Sequence, residues 1–391
     1  MNKGNWFLFS GLILLIAFSM AFNINNKQEN HLHIIDLTKI PEKENPVYLS
    51  QFASEITYLP LESKKESMIG PSVRFYLFDS VIVSCAHHQI LTFDSGNGNF
   101  LQSIGEYDRG PNGFMNSKSS YLKQGQLIIK AVGWDYHLLE FDVNGKIVNK
   151  LKLDKYPKDI AWLSNNLYAI YYKKVYDSDT FRLQVYDIKK NEVVFALYDK
   201  RKFPYTPTRT TNYGAFFYYY NDELSIKEYF NDTVFRVTTN KLIPAFVFKS
   251  VKHSPPFYEK HKFDYTQYHN IRYISETEHL VFFQLYFKKR GYFCYYDKRT
   301  KKVKIPNYKE LKINGFENDI DGFMQFQPIS VSNRNELIGF LEPYKILQWF
   351  NENPDKAAKL PPHVQKLKNI KETDNPVVMI AKLKECSMSC E

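Results

Sequence analysis

Short apolar runs alternate with polar turns along most of the chain, and five of them repeat one hairpin pattern. In four copies an apolar strand ends in an aromatic residue and Asp, a polar turn follows, and a second apolar strand begins. A fifth, weaker copy ends in Val and Thr instead. The marked residues lie 45 to 59 positions apart and are Asp94, Asp142, Asp187, Thr238 and Asp297. This period holds four short strands, which is the size of one β-propeller blade. The pattern predicts an all-β, six-bladed propeller.

Five complete blades follow when alternating runs are divided at turn residues. They occupy 73–104, 119–151, 159–197, 215–248 and 271–305. The high aromatic content, with 29 Tyr and 31 Phe, suits pleated and half-buried surfaces.

The sixth blade needs strands from both ends of the chain. Its first two strands are predicted at 324–331 and 337–342, and its third at 376–383. The missing fourth strand is supplied by 55–61, so that an N-terminal strand pairs with the C-terminal strand and closes the ring without an open edge. Residues 343–375 interrupt this blade with helical spacing and predict a short helical insert.

Antiparallel strand order sorts the connections onto two faces. Four long loops, 105–117, 199–213, 250–270 and 343–375, all fall on one face, which we call the long-loop face. The opposite face, called the tight-turn face, receives short polar turns. Long loops at one end of a rigid scaffold are where binding and catalysis usually occur, so we predict the functional site on the long-loop face.

The N-terminus predicts export. Lys3 precedes an uncharged apolar stretch at 6–22, and Ser19 and Ala21 offer the small residues that a signal peptidase reads. We predict a signal peptide at 1–21; because the stretch is near the minimum for a bilayer span, an uncleaved anchor with membrane association is the alternative. The propeller is predicted at 50–385, in the periplasm or cell envelope.

The charge and the cysteine content exclude few classes of binding partner. The net charge of +10 comes from 52 basic and 42 acidic residues, but the Lys-rich runs lie at turns, where they block sheet edges. We therefore predict no nucleic-acid partner, while attraction to anionic envelope polymers or lipid stays open. In the tail at 386–391, Cys386 and Cys390 could form a disulfide in an oxidising compartment.

Four segments resemble the six-bladed β-propeller family, a large group of mostly uncharacterised bacterial cell-envelope proteins. They are Ile56-Thr-Tyr-Leu-Pro-Leu-Glu62, the loop from Gly105 to Gly113, Phe230-Asn-Asp-Thr-Val-Phe-Arg236 and Asp374-Asn-Pro-Val-Val378. Many members begin with a lipobox Cys and carry Gly-Pro-Gly-Glu, whereas this chain lacks the former and has Gly110-Pro-Asn-Gly113. The resemblance implies the fold and an envelope location, and no particular reaction.

Motifs of enzyme chemistry are scarce. No Gly-rich phosphate loop, Gly-x-Ser-x-Gly or His-Glu-x-x-His occurs, and scattered histidines such as His87 and His88 lack metal-ligand spacing. The predicted innermost strands hold almost no acids, Asp159 being the exception, whereas propeller hydrolases usually bind a divalent ion there. We predict no metal and no cofactor.

These observations favour an exported, non-enzymatic binding scaffold that recognises a peptide, a glycan or a partner protein. The alternative is a hydrolase or lyase acting on a glycan or lactone at the channel mouth. The predicted ligand-binding residues combine a polar loop with aromatic side chains suited to stacking. They are Asp108, Arg109, Asn112, Tyr205, Tyr258 and Tyr265.

Overall fold

Six antiparallel sheets make up the body of the protein in the computed structural model, which describes residues 32–172, 181–198, 214–229, 231–251 and 267–385. Two strands, β1 (His33–Asp36) and β2 (Ala53–Pro60), precede the first blade. Blade one contains β3 (Arg74–Phe78), β4 (Val81–Ala86), β5 (Gln89–Asp94) and β6 (Phe100–Ser103). Blade two contains β7 (Asn116–Lys123), β8 (Gln126–Val132), β9 (His137–Phe141) and β10 (Ile147–Lys152).

The later blades follow in chain order. Blade three contains β11 (Asp159–Ser164), β12 (Leu167–Tyr171), β13 (Phe181–Asp187) and β14 (Glu192–Tyr198). Blade four contains β15 (Ala215–Tyr220), β16 (Glu223–Glu228), β17 (Thr233–Val237) and β18 (Leu242–Lys249). Blade five contains β19 (Asn270–Glu276), β20 (Leu280–Phe287), β21 (Arg290–Asp297), β22 (Lys302–Lys304) and β23 (Ile313–Asn314). Blade six contains β24 (Ser330–Val331), β25 (Glu336–Leu341) and β26 (Val377–Leu383).

The sheets form a closed ring of six blades. Within the blades, β3 to β22 and β24 to β26 follow chain order, and β1 and β2 are added at the outer edges of blades four and six. The first strands of neighbouring blades contact one another around the centre. One apolar cluster fills each of the six gaps between neighbouring blades. Each large side chain buried there, such as Phe75 or Phe283, contributes about 1.5–3 kcal/mol through loss of contact with water. The predicted six-bladed propeller is confirmed.

Ring closure occurs where the sequence predicted it. β2 pairs antiparallel with β26, from Ala53 opposite Leu383 to Pro60 opposite Val377. Beside this pair the buried side chain of Asn375 donates to the carbonyls of Glu62 and Ser67 at 2.7 and 2.8 Å and accepts the N–H of Ile69 at 2.9 Å. The Asp-Asn-Pro-Val segment therefore fastens the loop after β2 to the closing strand.

The repeated Asp at the end of each third strand forms the turn that follows it. Asp94 accepts the N–H groups of Gly96 and Asn97, and Asp142 accepts those of Asn144 and Lys146, at 2.9 to 3.0 Å. Asp187 and Asp297 make the corresponding bonds at the next complete copies. Such Asx turns satisfy backbone donors locally, which explains why the pattern recurs.

The N-terminal segment adds a feature that the sequence pattern did not indicate. β1 pairs parallel with β18 on the outer edge of blade four. The chain then exchanges backbone hydrogen bonds between Asn45 and Asn307 beside blade five and reaches blade six, where β2 begins. Residues 33–52, called the strap, thus cover the outside of three consecutive blades.

Blade six differs from the prediction at its first strand. The predicted strand 324–331 is reduced to β24, because Phe326 instead exchanges two backbone hydrogen bonds of 2.9 Å with Phe316. Pro328 lies between that bridge and β24 and has no N–H to donate to a sheet.

The predicted helical insert is present. It contains α1 (Pro343–Glu352), α2 (Pro354–Ala357), α3 (Pro362–Gln365) and a 3₁₀ turn at Lys366–Asn369. Ile346, Val364 and Leu367 pack into the cluster between blades five and six, so the insert is part of the core there. Within the described residues, no helix combines the length and the apolar character needed to cross a bilayer.

Candidate functional site

The structure describes half of the predicted ligand-binding residues. Asp108, Arg109 and Asn112 lie in the connection between blades one and two, on the long-loop face, and all three are exposed. Tyr205, Tyr258 and Tyr265 lie outside the described residues, and so do the signal peptide and the pair of tail cysteines. The assignment of these six residues to ligand binding stays a prediction.

The loop that carries Asp108 is closed and compact. The N–H of Phe114 donates to the carbonyl of Glu106 at 2.8 Å, and the ring of Phe114 is buried between blades one and two. The Asp108 carboxylate accepts the N–H of Gly110 at 2.6 Å. A Cβ on Gly113 would lie 1.8 Å from that carboxylate, so only Gly allows this loop to close. Asp108 therefore shapes the loop that presents Arg109.

Arg109 lies at one end of a series of aromatic rings on the long-loop face. Its guanidinium carbon is 5.0 Å from the ring centroid of Trp134, and the Trp134 ring is 5.9 Å from that of Tyr107. Tyr107 contacts His88 at 4.0 Å between ring centroids, and His88 stacks on His87 at 4.1 Å. Such contacts hold the rings in fixed positions.

The series continues towards the innermost strands through Asn116. Its side-chain oxygen lies 2.9 Å from Nδ1 of His87, and its amide nitrogen donates to the Tyr156 hydroxyl at 3.1 Å. The Tyr156 ring lies 6.1 Å from that of Tyr136. The six rings come from four separate connections of blades one and two, and we call them the aromatic arc: His87, His88, Tyr107, Trp134, Tyr136 and Tyr156.

Two members of the arc have features that folding alone does not explain. Tyr136 is 40% exposed and has φ of +67°, a backbone conformation that costs a bulky residue about 1–3 kcal/mol. The indole N–H of Trp134 is buried and has no acceptor among the described residues. Strain and an unsatisfied buried donor both occur preferentially at functional sites.

Beside the arc, the channel mouth is rich in cations. Arg74 begins the innermost strand of blade one, and its pKa is raised chiefly by Tyr76 and then by Asp159 and Tyr229, against the effect of burial. These neighbours belong to blades one, three and four. Asp159 itself lies 3.9 Å from the buried ammonium of Lys130 and accepts the N–H of Phe217 at 3.3 Å.

The arrangement offers little to an enzyme mechanism within the described residues. No group of three or more His, Cys, Asp or Glu side chains there is placed to hold a metal ion. Burial raises the pKa of the Cys85 thiol to about 12, so this thiol is a poor nucleophile. His269, from the longest loop, packs edge-on against Phe287 and lies 3.0 Å from the Ser250 hydroxyl, and burial lowers its pKa.

Sequence reasoning missed most of the arc. His87 and His88 were considered only as metal ligands, and Trp134 and Tyr136 were not considered. The signal was nevertheless present, because Trp134-Asp-Tyr136 lies between the second and third strands of blade two, and such connections emerge on the long-loop face. Glu276 was also missed, since β19 extends one residue beyond its predicted end.

Comparisons with known proteins support the fold and the resemblance. The model of a family described as a domain of unknown function (DUF4934) matches residues 32–382. A solved structure described as a "Putative exported protein" from Bacteroides fragilis NCTC 9343 is 18% identical, with a TM-score of 0.69, covering 90% of this chain and 100% of that chain. The β-propeller domain of Cps50 (Swd1) from Myceliophteria thermophila is 9% identical, with a TM-score of 0.40, covering 73% and 95%. No curated protein matches.

Proposed function

This chain belongs to the DUF4934 family, and we propose that it is an exported binding protein of the bacterial envelope whose long-loop face recognises a glycan. The predicted signal peptide supports export, and so does the description of the Bacteroides fragilis structure that shares the fold. The aromatic arc is the observation that favours a glycan over the other ligands considered.

The arc has the chemistry of a sugar-binding surface. A pyranose ring has apolar C–H faces that pack against aromatic rings, while its hydroxyls need hydrogen-bonding groups at the edge of the stack. Tyr107 and Tyr136 are 45% and 40% exposed, so ring surface is accessible. Arg109 and Asn116 provide polar groups beside these rings, and Tyr and Trp themselves combine an apolar body with a polar tip.

The arc is also held in place before any ligand arrives. Its members contact one another, and Tyr156 is fixed by hydrogen bonds from Asn116 and from Lys118 at 3.1 and 3.0 Å. A surface whose side chains are already ordered pays less conformational entropy on binding than a flexible one. This organisation favours recognition of a ligand over a merely packed loop cluster.

Affinity electrophoresis through gels that contain soluble polysaccharides would test the proposal. We expect retardation by at least one glycan, and we expect Tyr107→Ala to remove it, because the substitution deletes one exposed ring from the centre of the arc. Loss of one stacking contact corresponds to about a tenfold or larger loss of affinity. Tyr205→Ala, Tyr258→Ala and Tyr265→Ala would show whether the predicted residues outside the described ranges contribute.

Asn144→Ala is the matched control, since Asn144 lies in a tight turn on the opposite face and uses only its backbone N–H there. Its retardation should equal that of the unaltered protein. Absence of retardation by every neutral and acidic polysaccharide, or equal losses for Tyr107→Ala and Asn144→Ala, would overturn the proposal.

A further inference from the structure

The long-loop ends of three innermost strands carry exposed or half-exposed cations. They are Arg74 at the start of β3, Lys118 in β7 and Arg272 in β19. Within the described residues, none of these three reaches a carboxylate within the 4.0 Å of an ion pair. A set of cations around one channel mouth creates a field that attracts an anion.

Two of these cations occupy β-bulges. The pairing of β7 with β8 shifts register between Ser117 and Ser119, and the pairing of β19 with β20 shifts between Ile271 and Tyr273. Lys118 and Arg272 are the residues left without a strand partner. A bulge redirects the side chain of the extra residue and is common next to active sites, so both cations leave the regular alternation of their strands.

The carboxylate at the mouth is already engaged. Asp159 accepts the N–H groups of Ile160 and Phe217 and lies near the buried Lys130 ammonium, at 2.8, 3.3 and 3.9 Å respectively. Asp159 therefore stabilises the contact between blades three and four. Among the described residues, Asp159 is too far from Arg74 to form an ion pair with it.

Lys158, which directly precedes the innermost strand of blade three, contributes a further cation at this end of the blades. A Cβ on Gly214 would lie 2.8 Å from Cε of Lys158 and 3.3 Å from the ring of Tyr229. The absence of a side chain at Gly214 therefore lets the Lys158 stem pass between blades three and four. Tyr229 is also one of the groups that raise the pKa of Arg74.

From these observations we infer, resting on the proposed function, that the glycan is an acidic one whose carboxylate binds at the channel mouth through Arg74 and Lys118 while its sugar ring packs on Tyr156. The geometry around Tyr156 carries this inference. The Lys118 ammonium lies 4.8 Å from the centre of the Tyr156 ring and donates to its hydroxyl at 3.0 Å.

That geometry matches a uronic acid better than an acidic peptide. In a uronic acid the carboxylate is attached directly to a carbon of the pyranose ring, so a single residue presents an anion and a stackable face side by side. An acidic side chain of a peptide has the anion on a flexible stem and no ring. Lys118 and Tyr156 likewise present a cation and an aromatic ring beside each other.

The test compares each acidic polysaccharide with its own carboxyl-reduced form. Polygalacturonate, alginate and hyaluronan would be used with the full mature chain, because reduction removes the charge and keeps the sugar backbone. We expect retardation by at least one acidic form to exceed that of its reduced form by about tenfold or more, the effect of one charge-assisted hydrogen bond. Poly-glutamate should be held weakly, because it lacks the sugar ring.

Arg74→Gln and Lys118→Gln should each lower affinity for the acidic form about tenfold. Arg74→Gln should leave affinity for the reduced form unchanged, whereas Lys118→Gln also removes a hydrogen bond to Tyr156 and should lower that affinity by a smaller factor. Lys189→Gln, which removes the same charge from the tight-turn face, is the matched control and should have no effect. Equal binding of acidic and reduced forms would overturn the acidic-ligand inference while keeping the glycan proposal. Poly-glutamate bound as tightly as the glycan would show that charge alone suffices and would also overturn the inference. No binding of any form would overturn both.

Discussion

The tight-turn face and the long-loop face are built from the ends of the same strands, yet different forces fix their connections. On the tight-turn face each Asp such as Asp142 satisfies the backbone of its own turn, so the turn is determined within five residues. On the long-loop face the positions of Trp134 and Tyr156 depend on contacts between separate connections. The same turn can therefore recur on the tight-turn face from blade to blade, whereas the arrangement of rings on the long-loop face is specific to blades one and two.

The charges buried near the two ends of the blades also differ, in how completely they are paired. Towards the tight-turn end, the Glu276 carboxylate accepts two bonds of 2.8 Å from Arg236 and one of 2.7 Å from Lys298. Glu140 occupies a similar place between blades two and three, with the Tyr168 hydroxyl at 2.8 Å. Closer to the long-loop end, the buried ammonium of Lys227 donates to the Glu228 carbonyl at 2.7 Å. Fully paired charges at one end stabilise the architecture.

The largest effect is expected for Glu276→Ala, since it removes a buried carboxylate from two largely buried cations, of which Arg236 keeps only its contact with the exposed Glu223 carboxylate at 3.2 Å. We expect a loss of about 3–5 kcal/mol in the free energy of unfolding, measured by urea denaturation. Glu278→Ala is the control, because the Glu278 side chain is 80% exposed, and it should change stability little. A loss below about 1 kcal/mol for Glu276→Ala would contradict the architectural role of this pair.

The next prediction is a pH dependence of the unfolding free energy that arises from Lys227. Burial lowers the pKa of Lys227 to about 8 from 10.5, the ordinary value for a lysine, against the opposing effect of Asp232 and Glu228. Between these two values the unfolded chain binds more protons than the folded one, so stability should rise with pH by at most about 1.4 kcal/mol per unit.

Unfolding measured from pH 7.5 to 10.5 on the unaltered protein and on Lys227→Met isolates this contribution. The difference in unfolding free energy between the two proteins should change with pH in that window, with the unaltered protein gaining relative to the variant. A pH-independent difference would show that Lys227 keeps its proton throughout.

A smaller loss is expected for Asp142→Ala, which removes the acceptor of two backbone N–H groups. Because the turn is exposed and water can replace the carboxylate, we expect a loss of about 1–2 kcal/mol in unfolding free energy. Asn144→Ala in the same turn should be nearly neutral, since the side chain is not used. Neither variant should alter glycan retardation. A change in retardation for Asp142→Ala would contradict the assignment of glycan binding to the long-loop face alone.

The smallest effect on stability is expected for Tyr136→Gly. Glycine adopts φ of +67° without strain, and this gain offsets the loss of ring contacts and the entropy cost of glycine, so the melting temperature should stay nearly constant. Glycan retardation should nevertheless fall, because one exposed ring of the arc is lost. A large drop in melting temperature with unchanged retardation would assign Tyr136 to the core and not to binding.

The sequence predicted those parts of the fold that are set by local pattern. Strand alternation and turn residues located the blades, and the unpaired runs at 55–61 and 376–383 indicated the closure. The parallel pairing of β1 with β18 was missed because an edge strand of four residues has almost no pattern of its own. Lys118 and Arg272 were missed as site residues since a bulge depends on the partner strand, which a pattern along one strand does not show.

The pairing of β2 with β26 has a kinetic consequence. Ala53 cannot meet Leu383 until nearly the whole described chain is available, so closure brings together segments of very high sequence separation. Such contacts form late, because closing a long loop costs entropy before the contact stabilises anything. Until then an incomplete ring exposes the last blade gap and leaves β26 as an unpaired edge. We therefore expect a slow final folding phase in which aggregation competes with closure.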